Sequence, residues 1–186
     1  VAYETWGEVA GSNAVLVPHA PTGDAHAAGP AGEGQATAGW WDALIGPGKA
    51  SDTDRWFVLS SNVLGGCQGT TGPSSTAPDG RAYGSRWPRI TIRDQVAVEV
   101  ALADALGIER FTAVMGGSMG GMRTLEWMVQ HPQRVGGALV MATSASATAD
   151  QIATQNIQIA AIQADPDWRA GDYYELGRAH VRNPVT

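Results

Sequence analysis

The residues best suited to chemistry stand together at Gly116-Gly117-Ser118-Met119-Gly120, a G-x-S-x-G pattern. A serine hydroxyl is a weak nucleophile, and it becomes useful when a base takes its proton and the backbone holds it out of the packed interior. A sharp turn from a strand into a helix does the holding. The helix then aims its N–H groups and positive dipole end at the point where an oxyanion forms during acyl transfer. Glycines on both sides suit such a turn, because a Cβ there would meet the neighbouring strand or helix. The competing reading is a glycine-rich turn whose serine only caps the helix. The flanking elements separate the two.

Phe111-Thr112-Ala113-Val114-Met115 is an apolar strand running straight into the motif, and a helix follows from about Ser118 to His131, stopped by Pro132. That setting makes Ser118 the candidate nucleophile. Upstream, Tyr3 to Gly7 alternates like a strand, Asn13 to Val17 reads as a buried strand stopped by Pro18, and Arg55 to Ser61 reads as another. Residues 18–54 between them form a glycine-rich loop with one short helix predicted around Trp41 to Ile45. Thr91 and Asp94 carry a capping-box spacing, and Ile92, Val96, Val100, Ala103 and Leu106 share a helical face that Gly107 ends. Val135 to Ala142 is the next strand, and Asp150 to Ala164 a paler helix. Its Ile152, Ile157, Ile159 and Ile162 either line a tunnel or pack, with nothing in the sequence to choose between them. Apolar strands alternating with helices predict an α/β fold with a mostly parallel sheet and helices on both faces. The division expected is 1–149 as the N-terminal part of that core and 150–186 as a helical segment with a divergent tail.

A nucleophilic serine needs a histidine base oriented by an acid. Two histidines follow Ser118. His131 lies on the same helix, roughly 20 Å away at ~1.5 Å per residue, and reads as a helix C-terminal residue. His180 lies in the closing stretch with no strand before it. Neither is a credible base. His19, Asp24 and His26 match no metal-ligand spacing and read as loop hydrogen-bonding groups, so no metal is expected. Cys67 has no adjacent base and reads as a small buried residue. Trp40 and Trp41 read as core and loop anchors. The glycines of Gly65 to Gly72 lack the lysine of a phosphate-binding loop.

Composition narrows the classes. The 186 residues carry 12 basic and 18 acidic side chains, a net charge of −6, which argues against nucleic-acid or anionic-membrane partners. Glycine is high, at 24 residues, and predicts many tight turns and close backbone approaches. The single cysteine excludes an internal disulfide framework, and no apolar run approaches ~20 residues, so a cytoplasmic protein is expected. The chain opens at Val1 within a strand-like pattern, so a piece of a longer protein is expected.

With the serine placed, other strings become informative: Tyr3 to Gly7, His19-Ala20-Pro21-Thr22-Gly23-Asp24, Gly39-Trp40-Trp41-Asp42, Asn62 to Pro73, Thr91 to Asp94 and Gly116 to Met122. Together they resemble homoserine O-acetyltransferase, of the α/β-hydrolase fold, from residue 1 to about 178. The resemblance implies that Ser118 takes acetyl from acetyl-CoA and passes it to L-homoserine for methionine synthesis. It implies acetyl-CoA as co-substrate, no bound cofactor, and a homodimer. It also implies an oxyanion hole built from the Met119 N–H and the N–H of the third residue of the His-Ala-x-Thr-Gly loop, the position that Pro21 occupies here. The stretch from Asp150 resembles the start of the family's lid.

Two departures stand out. The family's third loop residue is normally Leu, and here it is Pro21, which has no N–H to donate. The family's triad Asp and His lie beyond residue 186, and the closing His180 to Thr186 drifts from the family pattern. Three readings are therefore open at this point: the acetyltransferase, a related acyltransferase or esterase of the same fold, and a catalytically inactive module.

Overall fold

The computed structural model describes residues 1–172. His180 lies outside the described residues. By contacts the chain divides into two compact units, one of Val1–Thr70 with Ile90–Ala145, the other of Thr71–Arg89 with the segment from Ser146 on. Segment 71–89 thus groups with the C-terminal helix rather than with the core around it in sequence.

The first unit holds a five-stranded sheet: β1 (Tyr3–Trp6), β2 (Ala14–Leu16), β3 (Phe57–Ser61), β4 (Ala113–Gly117) and β5 (Ala138–Met141), in the order β1-β3-β2-β4-β5. Strands β2 to β5 run parallel; β1 pairs antiparallel with β3, Tyr3 opposite Ser61. Every residue of β2 and β3 is buried, whereas β1 alternates exposed and half-buried. That is the expected difference between doubly covered central strands and an antiparallel edge strand.

Helix α1 (Ile92–Ala105) starts at the expected capping box, with the Thr91 side chain accepting from the Asp94 N–H and the Asp94 carboxylate accepting from the Thr91 N–H. It ends as expected at Gly107, φ +70°, where Ile108 N–H reaches Ala103 O and Gly107 N–H reaches Asp104 O. Only a left-handed residue closes the helix this way, and glycine takes that conformation without strain. Thr91→Ala should lower stability by about 1 kcal/mol in urea unfolding, with Thr91→Ser close to wild type.

One face of the sheet is covered by α1 and α2 (Met119–Gln130): Val96, Ala103 and Trp127 pack on Ala14, Leu16, Phe57, Leu59, Phe111 and Val114. Phe111 meets Trp127 edge-on at 5.5 Å. The opposite face, built on Val15, Val17 and Val58, is covered by the long loop, through Ala27, Ala28, Trp40, Trp41 and Ile45, and by Trp56 just before β3. Among the described residues of this unit the helical cover is therefore one-sided, because the loop's tryptophans seal the second face. The expected short helix at Trp41–Ile45 is a single turn, with Leu44 and Ile45 N–H both bonding Trp41 O. Its next turn is replaced by a bridge from Ile45 to Ser51.

Two strand boundaries move. β4 begins two residues later than Phe111 and continues through the glycines, because Gly116 and Gly117 pair with Val140 and Met141 of β5. β5 itself starts at Ala138, with Val135 making only an isolated bridge to Phe111.

In the second unit, helix α3 (Ala149–Gln163) carries a capping box between Thr148 and Gln151 and buries none of its residues. Ile157 is 70% exposed. Arg86 donates to the Asp79 carboxylate at 2.6 Å, Tyr83 meets Trp87 edge-on, and the Ser85 N–H bonds Asp172. No helix among the described residues is long and apolar enough to cross a membrane.

Candidate active site

Ser118 sits between β4 and α2 with φ 55° and ψ −123°. A non-glycine residue there carries about 1–3 kcal/mol of strain and persists only when its surroundings over-determine it. They do. The Ser118 N–H bonds Met141 O and its carbonyl accepts from Met122 N–H, both at 3.0 Å. The glycines leave no alternative packing. A Cβ on Gly116 would lie 2.3 Å from Gly120 O, one on Gly120 would lie 2.1 Å from Pro18 O, and one on Gly121 would lie 2.5 Å from the Thr143 methyl. Both fixed glycines of the motif are thus required by backbone contact, and the one after it by the Thr143 side chain.

The capping reading of Ser118 does not fit. Its side chain makes no capping bond to α2, and among the described residues its hydroxyl has no hydrogen-bond partner. The next residue, Met119, opens the helix, where the N–H has no intrahelical acceptor and faces the positive end of the dipole.

The His19–Gly23 loop follows β2 and packs on the elbow at Gly120. Gly23 N–H bonds Ala20 O at 3.0 Å, closing a turn in which Pro21 takes the second place, a position its fixed φ suits. Pro21 and Thr22 are exposed. His19 is buried and reads as a brace. Its Nδ1–H donates to Ala20 O at 2.7 Å and its Nε2 accepts from Val63 N–H at 3.1 Å. Only the neutral ring satisfies both bonds, a tautomer assigned from those partners. Burial, aided by the Arg123 charge, lowers its pKa from 6.5 to about 4. The unfolded chain therefore binds a proton that the folded chain refuses between those values. Stability is full above pH 6.5 and is lost as pH falls toward 4, by up to ~3 kcal/mol. Urea unfolding at pH 7 and pH 4.5 should show that loss, and His19→Gln should remove most of the slope.

A buried polar network lies behind this loop and is absent from the sequence reading. Arg123 on α2 and Glu99 on α1, 0% and 4% exposed, form an ion pair at 2.7 Å. Glu99 also accepts from Trp127 Nε1 at 2.8 Å and from the Ser61 hydroxyl at 3.1 Å. Arg123 Nη2 donates to the His19 carbonyl at 2.5 Å, and its Nε finds no partner among the described residues. A signal was available: Glu99 falls between Val96 and Ala103 on the face assigned to the core, where an unpaired charge would be costly.

His131 is the C-terminal cap residue of α2, its N–H on Trp127 O and its ring against Trp127. His26 bonds Glu4 and Pro30 O, and Asp24 accepts from His26 N–H, as loop hydrogen-bonding groups do. Among the described residues no cluster of His, Cys, Asp or Glu could hold a metal ion. Cys67 is exposed, not buried as expected, because the glycines around it carry the chain over the surface.

Residues 13–183 match the α/β hydrolase fold family. The chain is 60% identical over 178 residues to a homoserine O-acetyltransferase of Nocardia farcinica, covering 95% of this chain and 47% of that protein. It is 59% identical over 181 residues to one of Mycolicibacterium smegmatis, covering 96% and 48%. Among solved structures it resembles esterase E22, with TM-score 0.84 and 37% identity over 94% of this chain and 50% of that one. It also resembles the homoserine O-acetyltransferase of Bacillus anthracis, with TM-score 0.83 and 35% identity over 93% and 49%. The chain spans about half the length of the curated relatives it matches. With strand, strained serine and helix joined as that fold requires, the chain belongs to the α/β-hydrolase fold family.

Proposed function

We propose that this chain carries the nucleophile half of an acetyltransferase that moves acetyl from acetyl-CoA to the hydroxyl of L-homoserine. The observation that carries the reading is the strained Ser118 at the β4–α2 turn, in a chain about 60% identical to homoserine O-acetyltransferases. Ser118 attacks the thioester carbonyl and CoA leaves as thiol; the homoserine hydroxyl then attacks the acetyl-serine ester, taking the acetyl group and releasing the Ser118 hydroxyl. This is covalent catalysis in two half-reactions. The Met119 N–H stabilises the oxyanion at both stages. Pro21, in the loop facing this role, has no N–H to add.

The base and its orienting acid are not among the described histidines and their partners, since His19, His26 and His131 are all committed elsewhere. The proposal assigns them to the portion of the relatives' length that this chain does not span. Acetyl-CoA acts as a co-substrate, with no resident cofactor or metal. A cytoplasmic homodimer of this kind, without nucleic-acid or membrane partners, suits an amino-acid biosynthetic enzyme of net charge −6.

A second reading is favoured by the similarity to esterase E22: water, rather than homoserine, takes the acetyl group. Both readings pass through acetyl-Ser118, and only the acceptor separates them. The test is a form spanning the full length of its relatives, incubated with acetyl-CoA and then with homoserine or with buffer. Acetyl on the Ser118 peptide followed by O-acetylhomoserine supports the transferase. Acetate released at the same rate with and without homoserine supports the esterase. No acetyl on Ser118 overturns both.

A further inference from the structure

The loop between β2 and the long surface segment poses a problem of donors. An oxyanion hole commonly pairs the N–H after the nucleophile with a second N–H from across the site. Pro21 cannot supply it. Three carbonyls along the loop, by contrast, are bonded or closely packed. His19 O accepts from Arg123, Ala20 O accepts from both Gly23 N–H and the His19 ring, and Pro18 O abuts Gly120. The Ala20 N–H has no acceptor among the described residues.

A trans peptide is planar, so its C=O and N–H point in opposite directions. The peptide joining His19 to Ala20 is trans, and its carbonyl is held by a guanidinium that is itself 0% exposed. Fixing that oxygen fixes the Ala20 N–H on the opposite side of the same plane, away from Arg123. The guanidinium is in turn held by Glu99, which Trp127 and Ser61 hold from two further directions. Four elements, β3, α1, α2 and the loop, thus converge on the orientation of one peptide.

We propose that the Arg123–Glu99 pair is a positioning device for the site, holding the His19–Ala20 peptide so that the Ala20 N–H serves as the second oxyanion donor in place of residue 21. The proposal rests on the acyl-serine reading above. It explains how proline is tolerated in the loop: the turn needs a restricted second residue, and the donor lies one residue earlier. It also gives a reason for keeping a buried ion pair where an apolar pair would pack, since an apolar pair cannot grip a carbonyl.

The experiment uses a form spanning the full length of its relatives and measures the single-turnover rate of Ser118 acetylation by acetyl-CoA. The paired substitution Glu99→Leu with Arg123→Met removes the grip and leaves no lone buried charge. Acetylation should fall ~10²–10³-fold at saturating acetyl-CoA, with half-saturation changed less than about threefold, as for loss of one oxyanion donor. Arg123→Lys, which can still donate to the carbonyl and pair with Glu99, should recover part of the rate. Pro21→Leu, which restores an N–H at residue 21, should stay within about threefold of wild type, because the donor site is already filled. A cooperatively folded double variant that acetylates at the wild-type rate overturns the proposal, as does a gain of ~10²-fold from Pro21→Leu. A wild-type protein that never forms acetyl-Ser118 overturns the acyl-serine reading and this proposal together, and is told apart by the absence of acetyl on the wild-type peptide.

Discussion

Ser118→Ala, in a form spanning the full length of the relatives, should abolish acetyl transfer, with turnover falling by ~10⁴-fold or more. Loss of a catalytic serine costs nearly as much as loss of the whole catalytic group, and what is left comes from oxyanion donors and binding. The fold should barely notice. The Ser118 hydroxyl has no hydrogen-bond partner among the described residues, and alanine keeps the same strained backbone between Gly116 and Gly120. A melt within a few degrees of wild type, together with lost acetylation, is therefore the expected pair of results. Ser118→Cys sharpens the test, because a thiol in the same place can accept the acetyl group but alters its onward transfer. An alanine variant that still acquires acetyl from acetyl-CoA would place the nucleophile elsewhere.

Glu99→Leu alone should be the most damaging single substitution for stability. It strands the Arg123 guanidinium, 0% exposed, without its counter-charge. Breaking a buried pair from one side costs about 3–5 kcal/mol, a large share of the ~5–15 kcal/mol that holds a domain folded. It also leaves the Trp127 Nε1–H and the Ser61 hydroxyl without their acceptor. The paired Glu99→Leu and Arg123→Met substitution should recover most of that loss, since two apolar side chains of similar size need no partners. Urea unfolding of wild type, single and double variants gives the comparison. If the single variant unfolds at the wild-type midpoint, the ion pair carries no net stabilisation. If the double variant is no better than the single, the cost comes from lost packing and not from a stranded charge.

The two experiments act on different levels. The serine substitution leaves structure and removes chemistry. The glutamate substitution removes structure around an intact serine. The network connects the levels, because Arg123 binds both the core and the loop beside the elbow.

Much of this protein is written locally. The alternation of apolar strands with capped helices is enough to give the α/β class. Thr91, Asp94 and Gly107 mark the ends of α1 because capping depends on residues within one turn of each other. Gly116-x-Ser118-x-Gly120 marks the elbow for the same reason: a strained turn needs small neighbours at fixed offsets, and offsets are visible in a sequence. His131 was readable as a helix end because it stands before Pro132.

What the tertiary structure alone decided is non-local. Gly116 and Gly117 lie in β4 because β5 supplies partners for them, and no residue near them says so. The long loop takes the place of a helix over one sheet face because its Trp40 and Trp41 meet Val15, Val17 and Val58, far apart in sequence. β1 runs antiparallel at the edge although its alternation fits either direction. His19, readable only as a loop hydrogen-bonding group, becomes a neutral buried brace because Val63 comes to it from the end of β3. Glu99 and Arg123 become partners across 24 residues and two helices. Each of these contacts depends on chain closure over long distances, which sequence spacing does not encode. The candidate nucleophile could be named from five adjacent residues, but what braces the loop beside it could be named only once the helices were packed.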